Sequence, residues 1–465
     1  MRGVRRGWWR CEVFFDIKNR DRNAGHCIFT IMQGWFNKNF LPKEHSIKLT
    51  WLPATLIIIF IPHLVISYRL LDETMMQDLH SRIIGSRLME AGRSAYFFKW
   101  HNGDDTQLFN PNIAMPFGLN GVTATPFFLW IQKPLDGFSY CQIKLIWWSM
   151  EEILLFATLV LTCIVPKKLG GQFVAIIVSS VFFCYSRNWW QHICSGQYYI
   201  LFAFIFALMV FLFQRNKQIA LIAFPVVVLI RPLFALASLP WLIKDTGKNF
   251  KQLIIGGVLA MLLLLLSGTF KNVPEYSKAM KLYSSEITGW NNQQLRGLVS
   301  NQPQVMEDCV SETNVKDRFG AGCLFSVQHY LKLFRIKISE PLFFTAMLCL
   351  FIVAFFLVTG YKNITAEVDT VLIASFLIYI FSELFTPANR NPYNMIQYLG
   401  VMGLVINRAS LITLSLLVSG LALNHDFPFR FTYQREIGEI FILLSIYLIL
   451  LKARGNKTPS QQLIK

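Results

Sequence analysis

From Trp51 onward the chain alternates between long apolar runs and short clusters of Lys and Arg. The runs lie near residues 51–68, 143–165, 171–186, 197–213, 219–231, 233–243, 252–269, 341–360, 368–386, 395–406, 409–424 and 437–451. A helix needs about 20 mostly apolar residues to cross a bilayer core, so the pattern predicts an all-α membrane protein of about 12 transmembrane helices. The two runs on either side of Arg231-Pro232 are too short for a full crossing. They predict half-helices or a re-entrant hairpin, because proline ends a helix at the residue before it.

Two polar stretches, 69–142 and 270–340, interrupt this rhythm. In the first, Met76, Leu79, Ile83, Ile84, Leu88 and Ala91 recur at helical spacing, and Asp78, Arg82, Ser86 and Glu90 fall on another face. An amphipathic helix lying flat on the membrane is expected, with Asp78 presented to water. Further on, Thr125-Pro126 opens an aromatic segment, Phe127 to Ile131, of the kind that sits at the lipid headgroup level. The architecture expected is therefore a helical bundle with two large extracytoplasmic loops carrying amphipathic interfacial helices.

Charge sets the orientation. Short loops on one side hold Lys167 and Lys168; Arg215 and Lys217; Lys244, Lys248 and Lys251; Lys362; Arg408; and Lys452, Arg454 and Lys457. By the positive-inside rule these loops are cytoplasmic, both termini are inside, and both long loops face outward. Residues 1–47 read as a basic cytoplasmic tail, 48–452 as the polytopic domain and 453–465 as a second tail. Met32 opens a run that leads more naturally into the first span and is an alternative start.

Composition narrows the class further. With 54% hydrophobic and 15% charged residues and a mean hydropathy of +0.43, the chain does not suit a soluble fold. The net charge of +17 comes from scattered loop clusters rather than one stripe, so nucleic acid is not an expected partner. None of the nine cysteines forms a CxxC pair, which leaves no zinc or redox signature. Cys309 and Cys323 fall in the second outer loop, where a disulfide could persist. The sequon at Asn363 lies on the predicted inner side and is discounted.

No phosphate-binding loop, dinucleotide fingerprint, HExxH or GxSxG is present. Chemistry then has to come from the outer loops and the span ends. Five groups stand out there: Asp78 with Arg82; Lys99, His101, Asp104 and Asp105; Arg187 with His192; Arg231 before Pro232; and Arg390. A carboxylate and several cations at one membrane face suit transfer from a lipid phosphate. The cations neutralise the leaving phosphate, and the carboxylate takes a proton from the incoming hydroxyl. Arg231 is the hardest to read as structural, since a charge between apolar stretches is costly in lipid.

These segments resemble the GT-C type of multi-spanning glycosyltransferases, in particular the bacterial polyprenol-phosphate-mannose-dependent mannosyltransferases and related arabinofuranosyltransferases. The resemblance rests on QDLHSRIIGSRLMEAGRSAYFF, VTATPF, SGQYY, the Arg231-Pro232 pair, WNNQQLRGL and the polar turn ahead of Asn394 to Tyr398. It implies that Asp78 is the catalytic base of an inverting transfer. It implies a polyprenyl-phosphate sugar donor, with Arg82, His101, Arg187, His192, Arg231 and Arg390 as candidates for holding donor phosphate or substrate. The acceptor would be a glycan or glycolipid, with no metal or other cofactor, at the periplasmic face of the inner membrane. The family commonly has Lys where this chain has Arg231, which keeps the cation but grips phosphate with a fork. A transporter or lipid-linked sugar flippase is the main alternative, and a ligase using a pyrophosphate-linked donor is a third. Transporters tend to show related halves and charges near the bilayer midplane, whereas here the polar weight lies in two outer loops.

Overall fold

The computed structural model describes residues 51–74, 76–98, 100, 104–108, 122–215, 218–244, 246–289, 340–360, 367–385, 392–425 and 434–455. Among them every regular element is helical. The chain divides into two compact units, Met1–Glu73 and Thr74–Lys465. The described part of the first unit is one helix, α1 (Trp51–Glu73), an apolar run with Pro62 in its interior.

The second unit begins with helix α2 (Gln77–Glu90) and continues through a short helix α3 (Pro126–Gln132) to the long helix α4 (Tyr140–Ile164). Ser139 starts α4 with a capping box, its hydroxyl accepting from the Gln142 amide while the Gln142 side chain returns to the Ser139 amide. Cys141, in the first turn of α4, is disulfide-bonded. Next come α5 (Leu169–Ser179), a π-helical turn over Ser180–Cys184, and α6 (Arg187–Ser195), which together form a pair bent by 48°. A π turn spoils the regular bonding ladder and is a common site of such bends.

After α7 (Tyr199–Phe213) the chain breaks into pieces: α8 (Ala223–Val228), a 3-10 turn over Pro232–Ser238, and α9 (Leu239–Lys244). The cause is local. Pro232 lacks an amide proton and forces Arg231 out of the helical region, to φ −135 and ψ 96. Short helical pieces stand on either side of this dipeptide. α10 (Thr246–Ser267) and α11 (Val273–Gly289) follow, then α12 (Glu340–Thr359), α13 (Val368–Phe385), α14 (Leu399–Arg408), α15 (Leu411–Asn424) and α16 (Gln434–Gly455).

Among the described residues four helices are long and apolar enough to cross a membrane alone, or up to five if the bent pair counts as one span. The expectation of about 12 spans counts further runs as well. Several of these appear as shorter apolar helices, such as Tyr199–Phe213 and Leu411–Asn424.

Burial separates the bundle centre from its rim. In α13, 78% of the most apolar window is buried, against 11% in α10. Leu262 and Leu266 of α10 are 50% and 81% exposed, as a lipid-facing helix requires. At the centre Phe202 and Phe206 of α7 meet Phe234 of the 3-10 turn and Tyr379 of α13, with ring centroids 5.1 to 6.4 Å apart. Small residues let backbones close in: a methyl group at Gly400 or Gly403 would run into the Ala203 or Thr162 carbonyl.

Helix α2 departs from the expected flat amphipath. Its apolar residues Met76, Leu79, Ile83, Ile84 and Leu88 are buried as predicted, while Ala91 is exposed. Part of its polar face is covered too, while Glu90 stays exposed. Arg82 is 4% and Ser86 1% exposed, and Asp78 is only half-exposed. Periodicity identified the apolar side but not the fact that α3, α4 and the Gly196 turn pack over the polar one.

Candidate active site around the Gly196 turn

The site is organised by the turn that ends α6. Gly196 takes the left-handed conformation, φ 66, and closes the helix with its amide on the Ile193 carbonyl and the Gln197 amide on His192. A side chain is excluded here for a second reason: a Cβ on Gly196 would lie 2.7 Å from Leu79 Cβ and 3.0 Å from Met76 Cβ. The N-terminus of α2 therefore rests directly on this turn. Met76 itself has φ 46, and its carbonyl accepts from the Tyr140 hydroxyl at 3.0 Å.

This close approach brings Asp78 and Arg82 onto the SGQYY segment. Gln197 donates its side-chain amide to Asp78 Oδ2, and Arg82 Nη2 donates to the Gly196 carbonyl. Around the Arg82 guanidinium stand three rings, Phe128, Trp147 and Tyr198, at 5.8, 5.1 and 5.1 Å. Desolvation raises the Asp78 carboxyl above its ordinary value, against the opposing pull of Arg82 and the Gln197 bond. Desolvation likewise lowers Arg82 from its usual value, with Asp78 offsetting part of the effect.

Beneath the turn lies a second polar layer. Trp147 Nε1 donates to Glu151 Oε1 at 2.8 Å and also lies 3.4 Å from the Gln197 carbonyl. Glu151, 1% exposed, places the same oxygen 3.7 Å from His192 Nδ1. On its other side His192 Nε2 accepts from the Ile200 amide at 3.4 Å, and its ring stacks on Trp189. His192 thus supports the turn from inside the bundle.

On the far side Tyr198 and Tyr199 stack with centroids 5.6 Å apart, and Tyr199 lies 5.4 Å from the Arg231 guanidinium. Arg231 makes a two-pronged ion pair with Glu383 of α13, Nε to Oε1 at 2.8 Å and Nη2 to Oε2. The break that frees Arg231 is tied to the first polar stretch by Thr125. Its oxygen caps α3 by accepting from the Phe128 amide and donates to the Leu229 carbonyl at 2.6 Å. The VTATPF and Arg231-Pro232 segments are therefore one structural unit.

The second polar stretch, 270–340, joins through α11. Ser94 donates to Glu275, Tyr96 and Tyr276 pack at 5.7 Å, and Lys278 lies over Phe97 at 5.6 Å. Burial pushes the Tyr276 phenol up to about 12, and Tyr198 and Arg231 are close enough to act on it.

Of the residues expected from sequence, Asp78, Arg82, His192 and Arg231 gather around residues 196–199. Arg187 does not: it is exposed at the opposite end of α6, about 12 Å along the helix axis from Ser195. His101, Arg390, Cys309, Cys323 and the WNNQQLRGL segment lie outside the described residues. Sequence reading missed Gln197, Glu151, Glu383 and Tyr276. Glu151 and Glu383 carried a signal, since each interrupts an apolar run as Arg231 does. Among the described residues no group of three or more His, Cys, Asp or Glu could hold a metal ion.

No curated protein matches the chain. Residues 123–310, which run from the VTATPF segment through the Gly196 turn and Arg231 into the second polar stretch, match the model of glycosyltransferase family 87, a GT-C type family of membrane glycosyltransferases.

Proposed function

We propose that the protein transfers a sugar, a hexose such as mannose, from a polyprenyl-phosphate donor to a glycan or glycolipid acceptor, with Asp78 as general base. The observation that carries this reading is the Asp78 carboxylate held by Gln197, two stacked tyrosines away from the Arg231 cation. The family match supports the glycosyltransferase class and covers Gln197, Tyr198, Tyr199 and Arg231, while Asp78 and Glu383 lie outside it.

In this scheme the acceptor hydroxyl oxygen attacks the anomeric carbon and gives its proton to Asp78. The bond from that carbon to the phosphate oxygen breaks, the electron pair leaves with the polyprenyl phosphate, and configuration inverts. A desolvated carboxylate with a raised pKa is a stronger base than one in water. Gln197 occupies Oδ2, which leaves Oδ1 to meet the acceptor. Arg231 neutralises the phosphate as its charge grows. Arg82 is reassigned from phosphate binding to fixing the Asp78 helix, because its guanidinium is committed to Gly196 and enclosed by three rings.

About 12 crossings would place both termini in the cytoplasm and the two outer loops in the periplasm. The disulfide at Cys141, beside the first outer loop, is consistent with an oxidising compartment. An apolar groove among the spans would hold the prenyl tail. The test is reconstitution with a radiolabelled polyprenyl phosphosugar. A glycosyltransferase forms a new labelled glycan, whereas label that crosses the bilayer without a new product would identify a flippase.

A further inference from the structure

We propose that Glu383 is the resident counter-anion of the donor-phosphate site: it holds Arg231 in place while the site is empty and competes with the spent lipid phosphate for it after transfer, so that it sets the rate of product release. This rests on reading Arg231 as the residue that meets the donor phosphate.

The geometry is that of an occupied anion site. Both oxygens of Glu383 engage the Arg231 fork, the arrangement a guanidinium otherwise offers a phosphate. The Arg231 side chain is 22% exposed and the Glu383 side chain 3%, so whatever reaches the pair from outside meets the guanidinium first. Nε and one Nη2 proton are used by Glu383, and the remaining N–H groups stay available to a second anion. Tyr199 supports the guanidinium from one side, and the chain break at Pro232 fixes where its backbone starts.

The chemistry of the two lipids makes the carboxylate useful. A sugar phosphodiester carries one negative charge, whereas the phosphomonoester left after transfer carries close to two at neutral pH, its second pKa being about 6. A lone buried cation would hold the product more tightly than the donor, and turnover would stall. A carboxylate already bound to that cation repels the product more than the donor and takes its place when it leaves. It also keeps an isolated guanidinium from standing uncompensated within the bundle when the site is empty.

The test is Glu383→Gln in the reconstituted protein, with a short-chain polyprenyl phosphate as inhibitor. The variant preserves shape and one acceptor oxygen, and folding is checked by its melting temperature. The inhibition constant for polyprenyl phosphate should fall about tenfold, and the steady-state rate should fall further below wild type than the first turnover does. Glu383→Asp keeps the charge and should restore both values toward wild type. An unchanged or weakened inhibition in Glu383→Gln, a first turnover that falls as far as the steady state, or a Glu383→Asp variant that behaves like Gln would each overturn the proposal. Arg231→Gln tests the underlying reading separately: unchanged donor KM and product inhibition in that variant would remove Arg231 from the phosphate site altogether.

Discussion

Tyr198 and Tyr199, neighbours in sequence, stack face to face with their planes 5° apart, and each carries an arginine: Arg82 lies 5.1 Å from the first ring and Arg231 5.4 Å from the second. Two cations from distant parts of the chain are thereby held at a fixed separation. Asp78 joins them through Gln197, one residue before the pair. The SGQYY segment is thus the frame on which the Asp78 carboxylate of α2 and a broken-helix cation meet.

Gln197 favours the ionised form of Asp78, so its removal has a defined sign. Desolvation already raises the carboxyl, and the Gln197 bond works against that rise. Gln197→Leu should push the acid limb of kcat/KM to higher pH. Below that limb the rate should fall about tenfold to a hundredfold, the value of one hydrogen bond to a charged group. A pH profile superimposable on wild type would show that Gln197 does not tune the base.

Gly196 is irreplaceable on two counts, positive φ and contact with α2. Gly196→Ala combines a left-handed penalty with overpacking against Leu79, together about 2–5 kcal/mol. Because the contact lies under Asp78, the variant should lose transfer activity more completely than it loses thermal stability. Activity can be compared with melting temperature in the same detergent preparation.

Asp136 governs a pH-dependent part of stability. Burial pushes its carboxyl up to about 6, with the Ser86 bond and Arg87 opposing, from an unfolded value of 3.8. The folded state therefore binds the proton more tightly than the unfolded chain. The contribution is favourable at low pH and is lost as pH rises from about 4 through 6. Asp136→Asn should raise the melting temperature relative to wild type at pH 7 and have little effect at pH 3.5, below the unfolded value. His80, lowered to about 4 by burial and Arg87, titrates in the same range in both proteins and cancels in the difference.

Much of the helical layout was legible, because apolar runs and prolines act locally. The break at Arg231-Pro232, the Thr125 start of α3 and the apolar side of α2 all follow from residue type and spacing. The second face of α2 was not legible: Arg82 is enclosed by Phe128, Trp147 and Tyr198, which come from three separate segments, and no periodicity reports that convergence. The buried acids were legible in principle. The rule that singled out Arg231, a charge interrupting an apolar run, applies equally to Glu151 and Glu383. Both lie inside apolar runs rather than in the polar stretches or at span ends. Arg187 opens α6 and His192 lies near its end, so closeness in sequence does not bring the two to the same turn.

The central claim is that Asp78 takes the acceptor proton. Asp78→Asn preserves size and can still accept from Gln197, so the protein should insert and melt as wild type does. Its transfer of labelled sugar from a polyprenyl-phosphate donor in proteoliposomes should fall by about 10²–10⁴-fold, the range of a lost general base. Turnover within a few-fold of wild type, in a variant shown to be folded, would contradict the account.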